Sequence, residues 1–116
     1  MVAAMKRLVF AALLIAGGSP AVAGANNFTL VNGTGASLAA LSIARSGTTD
    51  WQPLGQAPAA GARGPITFKA QDCAFDIRAN VQGIGPVTWA GVNLCDVKSV
   101  TLKRDQTAGA WVDYDQ

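Results

Sequence analysis

A chain of 116 residues with two cysteines and no histidine is bounded before any motif is read. Nine basic against seven acidic side chains give a formal net charge of +2, but Lys6 and Arg7 stand in a segment that does not read as part of the fold. From Gly24 onward seven Lys and Arg face seven Asp, so no electrostatic case exists for nucleic acid or an anionic membrane as partner.

The chain opens with the basic pair Lys6-Arg7, an apolar run from Leu8 to Ala16 and a breaker at Gly17-Gly18-Ser19-Pro20. Ala21-Val22-Ala23 then supplies small residues where a signal peptidase reads. That order predicts a secretory signal peptide over residues 1–23, cleaved after Ala23 or at the second small-x-small site, Ala23-Gly24-Ala25. Met5, directly before the basic pair, is an alternative start. The apolar run is far short of the roughly 20 residues a membrane span needs. Residues 24–116 are then expected to form one β domain in the periplasm or outside the cell, with no membrane insertion after cleavage.

Phe28 to Val31 is a short β-prone run, and Asn32-Gly33-Thr34-Gly35 is a turn signal. Ser37 to Ala44 reads as a second strand or as one helical turn. A polar loop from Arg45 leads to Trp51 and Leu54, which are expected to tuck back onto the core. Gly55 to Pro65 lacks periodicity and is read as an exposed loop. Ile66 to Lys69 alternates. Cys73 to Val81 is the clearest strand, with Cys73, Phe75, Ile77, Ala79 and Val81 on one face and Asp72, Asp76, Arg78 and Asn80 on the other. Gln82 to Pro86 turns the chain and Val87 to Leu94 returns. Val97 to Leu102 and Ala110 to Tyr114 complete the pattern, joined by a turn from Lys103 to Gly109. Six to seven strands at this pitch predict a small antiparallel β-sandwich or barrel.

Export places Cys73 and Cys95 in an oxidising compartment, where they are expected to bond. If the hairpin turns about Ile84, Val81 faces Val87, Ala79 faces Trp89 and Cys73 faces Cys95 on the apolar face, although a bulge would shift this register. The bond reads as a structural staple: a redox pair calls for C-x-x-C or a thiol lowered by a neighbouring cation. The order Cys73, Trp89, Cys95 invites comparison with immunoglobulin domains, but their bond joins two sheets and this one would tie a hairpin.

N-x-T-G at Asn32–Gly35, Trp51 after a polar loop, C-x-x-D-x-R at Cys73, Asp76 and Arg78, and W-x-x-x-N-L-C at Trp89, Asn93, Leu94 and Cys95 resemble a group of small exported proteobacterial proteins. The resemblance spans most of the chain after Ala23 and implies no activity. Some similar sequences carry the label argininosuccinate lyase. Such lyases are large helical tetramers with a G-S-x-x-M-P loop, and this chain has neither that loop nor the length.

After residue 23 there is no His, Glu or Met. The usual base near neutral pH and the nitrogen and thioether ligands of zinc and copper sites are therefore missing. Asp72 and Asp76 are the candidate carboxylate pair, yet an exposed Asp76 alternating with Arg78 lacks the burial that tunes an acid. A structural pairing of Asp76 and Arg78, with each other or with a neighbouring strand, is the expectation. Asp50, Asp72, Asp76 and Asp96 are dispersed and form no calcium loop. Ser37, Ser42, Ser46 and Ser99 have no histidine to activate them and no G-x-S-x-G elbow. Trp89 is assigned to the core. Trp111 and Tyr114 have opposite parity, so one should face out. Trp51, Asp76 and Arg78 are the candidate surface-binding residues.

The sequence therefore points to a monomeric, non-enzymatic exported binding or envelope-associated module without cofactor or metal, taking an unknown protein or small ligand through its loops or an open sheet edge. The alternatives are a small secreted inhibitor or toxin-like factor acting on an envelope protein, through the Gly55–Pro65 loop, and an Asp-dependent hydrolase or an enzyme of the lyase label.

Overall fold

The computed structural model describes residues 24–115; the segment read as a signal peptide, residues 1–23, and Gln116 lie outside them. The described chain forms strands β1 (Phe28–Asn32), β2 (Leu38–Arg45), β3 (Gln52–Pro53), β4 (Arg63–Ile66), β5 (Ala74–Val81), β6 (Gly85–Asn93), β7 (Ser99–Asp105) and β8 (Gly109–Asp115). They make two four-stranded sheets, ordered β4-β1-β7-β8 and β3-β2-β5-β6. The fold is the expected all-β sandwich, with two features the sequence did not announce. Strand β1 runs parallel to β7, while the other pairings are antiparallel. The described residues form eight strands, because Gln52-Pro53 and Arg63–Ile66 both pair.

Period-two alternation builds the core. Phe28 and Leu30 of β1 and Val100 and Leu102 of β7 meet Ile43, Phe75, Ile77, Ala79, Val81, Trp89 and Val92 of the second sheet. Each large side chain buried there contributes roughly 1.5–3 kcal/mol of transfer free energy. Trp89 is fully enclosed, and its indole Nε1 donates across the sandwich to the Lys103 carbonyl at 2.8 Å. Leu54 tucks into the core as expected, its N–H donating to the Leu41 carbonyl. Trp51 stays half-buried, outside the core cluster.

Three expectations are corrected. The loop read over Gly55–Pro65 ends early, because Arg63–Ile66 pairs with β1 while Thr67–Lys69 is not strand. Proline is tolerated there by geometry. Asn32 exchanges backbone hydrogen bonds with the 61–62 segment and the Thr29 N–H turns to Lys98 on the β7 side, so the Pro65 nitrogen faces the free edge. Second, the β5–β6 hairpin turns about Gly83, not Ile84. Gly83 takes φ +82° and the Ile84 N–H closes the turn on the Val81 carbonyl, giving Val81↔Gly85, Ala79↔Val87 and Ile77↔Trp89. A bulge then shifts the pairing to Phe75↔Val92 and Ala74↔Asn93. Third, Cys73 and Cys95 do bond, at a Cα–Cα separation of 5.2 Å, but outside the strands at the hairpin mouth. Cys73 is exposed and Cys95 half-buried, because the chain has left the sheet before Ala74.

Candidate functional site

The outer face of the β3-β2-β5-β6 sheet gathers the three residues singled out above. Pairing places Ser42, Arg78 and Thr88 in one row across β2, β5 and β6, and Ala44 and Asp76 in the next. Trp51 immediately precedes β3, whose register with β2 (Ser42↔Pro53, Ile43↔Gln52) brings it beside Ala44. Arg78 leans diagonally over it, with Cζ 4.0 Å from the centre of the Trp51 ring. Such stacking contributes about 0.5–1 kcal/mol at an exposed site and more where water is displaced.

Asp76 and Arg78 share this face without pairing with each other. The ion pair found among the described residues is Arg45 Nη1–Asp72 Oδ2, at 3.4 Å. Its side chains are 61% and 53% exposed, so its contribution to stability is small. Asp76 Oδ1 instead accepts from the Ser46 hydroxyl and the Gly91 N–H, both at 2.9 Å. Ala90 and Gly91 together oppose Asp76 in the β6 bulge, and Gly91 supplies the φ of +65° needed there. Asp76 is thus a structural acceptor that pins the 45–48 turn and the bulge to β5. The Arg78 side chain makes no hydrogen bond or ion pair to protein among the described residues.

The remaining carboxylates are scattered. Asp50, Asp72, Asp76 and Asp96 form no metal-holding group among the described residues. Asp105 closes the β7–β8 turn: its Oδ1 accepts from the Ala108 and Thr107 N–H groups. Those two bonds hold its carboxyl below the usual range, with a smaller contribution from Arg104.

Other aromatic residues divide by role. Trp111 faces out from β8, opposite Lys103. Tyr114 has inward parity but sits at the sandwich rim, and its hydroxyl accepts from the Asn93 N–H at 2.9 Å. This contact brings the β8 and β6 edges together. Asn32, read as turn chemistry, is a fully buried hub. Its Nδ2 donates to the Ala36 and Pro58 carbonyls, and its Oδ1 accepts from Thr34. The 56–62 loop is therefore anchored to the core through Pro58.

The sequence pattern does not single out Thr88, which pairs with Arg78, and offers Ser42 only as an unactivated nucleophile; the Ser42 hydroxyl donates to the Ala40 carbonyl at 3.1 Å. A turn centred on Gly83 gives Arg78↔Thr88 directly, so the glycine was the available signal. No protein-family model, curated protein or solved structure matches the chain.

Proposed function

We propose that the protein is an exported, non-catalytic binding module whose recognition surface is the outer face of the β3-β2-β5-β6 sheet, centred on Arg78 and Trp51. The observation that carries this reading is the guanidinium of half-buried Arg78 lying over the Trp51 ring, Cζ 4.0 Å from its centre, with no carboxylate paired to it among the described residues. A stacked arginine is a common anchor of binding surfaces. The Cys73–Cys95 bond supports an oxidising compartment, the periplasm or the exterior, and no described helix is long and apolar enough to cross a membrane.

The sheet edges argue for a face over strand addition. Strand β3 is two residues long, β4 turns the Pro65 nitrogen outward, and β6 and β8 meet through Asn93 and Tyr114. The engagement of Asp76 by Ser46 and Gly91 supports a non-catalytic role, since that oxygen is already an acceptor within the fold.

The test is native mass spectrometry of the unreduced protein from the envelope fraction of its own host. The reading expects an adduct on the wild type that Trp51→Ala loses. An adduct retained by that variant, or turnover of a substrate that survives purification, overturns it.

A further inference from the structure

We infer that Arg78, held over the Trp51 ring, seats an oxyanion, a carboxylate or phosphate group of the ligand; the inference rests on the proposed binding face. Stacking occupies the flat face of a guanidinium and leaves its in-plane N–H edge free. Arg78 has no protein acceptor for that edge among the described residues, although it is half-buried on a sheet and held in place by Trp51. A fork of parallel N–H donors matches the paired oxygens of a carboxylate or phosphate. Ser42 and Thr88 pair with Arg78 on the two neighbouring strands, but the Ser42 hydroxyl donates to the Ala40 carbonyl at 3.1 Å and the guanidinium leans to the Trp51 side, so the free N–H edge of Arg78 is what this face offers the anion.

Asp76, two residues away on the same face, is the opposing charge. Its Oδ1 is engaged by Ser46 and Gly91, and it lies beyond ion-pair distance of Arg78. It weakens capture of a free anion and disfavours indiscriminate binding of small ions. Asp50 follows the loop beside Trp51 and is exposed, and Arg45 on β2 is engaged with Asp72. The local balance thus leaves Arg78 as the cation available on this row.

The experiment is a titration of the oxidised protein with inorganic phosphate and, separately, with acetate, each against chloride at matched ionic strength. The readout is the Arg78 side-chain N–H resonance together with the Thr88 and Trp51 amides. The expected result is a saturable shift with phosphate or acetate beyond that of chloride. Arg78→Gln should abolish the amide response, and Arg78→Lys, which keeps the charge and loses the fork, should weaken it about tenfold. Whichever anion saturates at the lower concentration identifies the ligand group as phosphate or carboxylate. The Trp89 indole N–H, bonded to Lys103, reports that each variant is folded. No response beyond chloride for either anion overturns the inference. If an envelope adduct still depends on Trp51 in that case, the oxyanion assignment falls and the binding face stands.

Discussion

One oxygen of Asn32 takes two hydrogen bonds from Thr34: Oδ1 accepts from the backbone N–H at 3.1 Å and from the hydroxyl at 2.7 Å. The amide's other end donates to Ala36 and Pro58, so this enclosed side chain uses all its polar capacity. Asn32→Asp removes both donors and puts a carboxylate against two carbonyls. The expected cost is about 3 kcal/mol, read from the urea midpoint at unchanged slope. Asn32→Ala should also destabilise, since it leaves the Pro58 carbonyl without its Asn32 donor, while Ala36 keeps a bond from the Thr34 hydroxyl.

Gly33 has a different constraint, one of space. A Cβ there would meet Thr101 Cγ2 at 2.8 Å and the Leu102 carbonyl oxygen at 3.0 Å. The Leu102 oxygen accepts from the Gly33 N–H and cannot retreat without breaking that bond. Gly33→Ala is expected to destabilise by about 1–3 kcal/mol. By contrast the cost of Gly35→Asn should come from the backbone alone and be smaller: nothing lies near that position, and asparagine tolerates a positive φ, here +81°, better than other side chains do.

What could be read in advance follows from which interactions are local. Phe75, Ile77, Ala79 and Val81 alternate because every second residue faces the core, and that period survives in the sequence. Strand β4 did not, because Gly64-Pro65 carries loop residues at an edge where a missing N–H is harmless. The β6 bulge was hidden because its glycine sits inside an otherwise regular run. Trp51, Asp76 and Arg78 were recognised as polar-face or loop residues. Their geometry depends on the register of a two-residue strand, Gln52–Pro53, that ends well before β5 begins at Ala74, and no local pattern encodes it. Hence, of the two expected pairings, Asp76 takes the one with a neighbouring strand, through Gly91, and not the one with Arg78.

Asp76 separates a structural from a charge requirement. Asparagine keeps an Oδ1 acceptor for Ser46 and Gly91, whereas alanine leaves both donors without a partner. Asp76→Asn is expected to retain stability within about 0.5 kcal/mol, and Asp76→Ala to lose about 1–2 kcal/mol. The Gly91 amide resonance should move in Asp76→Ala and hold in Asp76→Asn. Equal losses in both would show that the charge, and not the acceptor, holds the bulge.

The β7–β8 turn should respond to acid. Hydrogen bonds from Ala108 and Thr107 favour the ionised Asp105, lowering its folded pKa below the unfolded value. Its contribution is therefore fully present above the ordinary Asp range and is lost as pH falls through the lowered folded value. The Thr107 and Ala108 amide resonances are expected to titrate together below the ordinary Asp pKa. Asp105→Ala should abolish that titration while leaving the core Trp89 N–H unmoved.

The Cys73–Cys95 bond should contribute globally and locally. Closing a loop across a sequence separation of 22 stabilises by about 3 kcal/mol in the chain-entropy model, a large share of a small domain's total. The bond also sits where other ties converge: the Leu94 N–H donates to the Cys73 carbonyl, the Ala25 N–H to Asp72, and the Ala70 N–H to Ala25. The double variant Cys73→Ser/Cys95→Ser should therefore show a urea midpoint lowered by the equivalent of about 3 kcal/mol. Its hydrogen exchange should accelerate most at Leu94, Ala25 and Ala70, because the mouth of the hairpin opens without the core. The Gln82–Ile84 turn, at the far end of the same hairpin, should change least. Uniform acceleration across the hairpin would mean that the bond acts on the unfolded chain alone. Preferential opening at Leu94 would show that it also clamps the first residues of the domain to the sandwich.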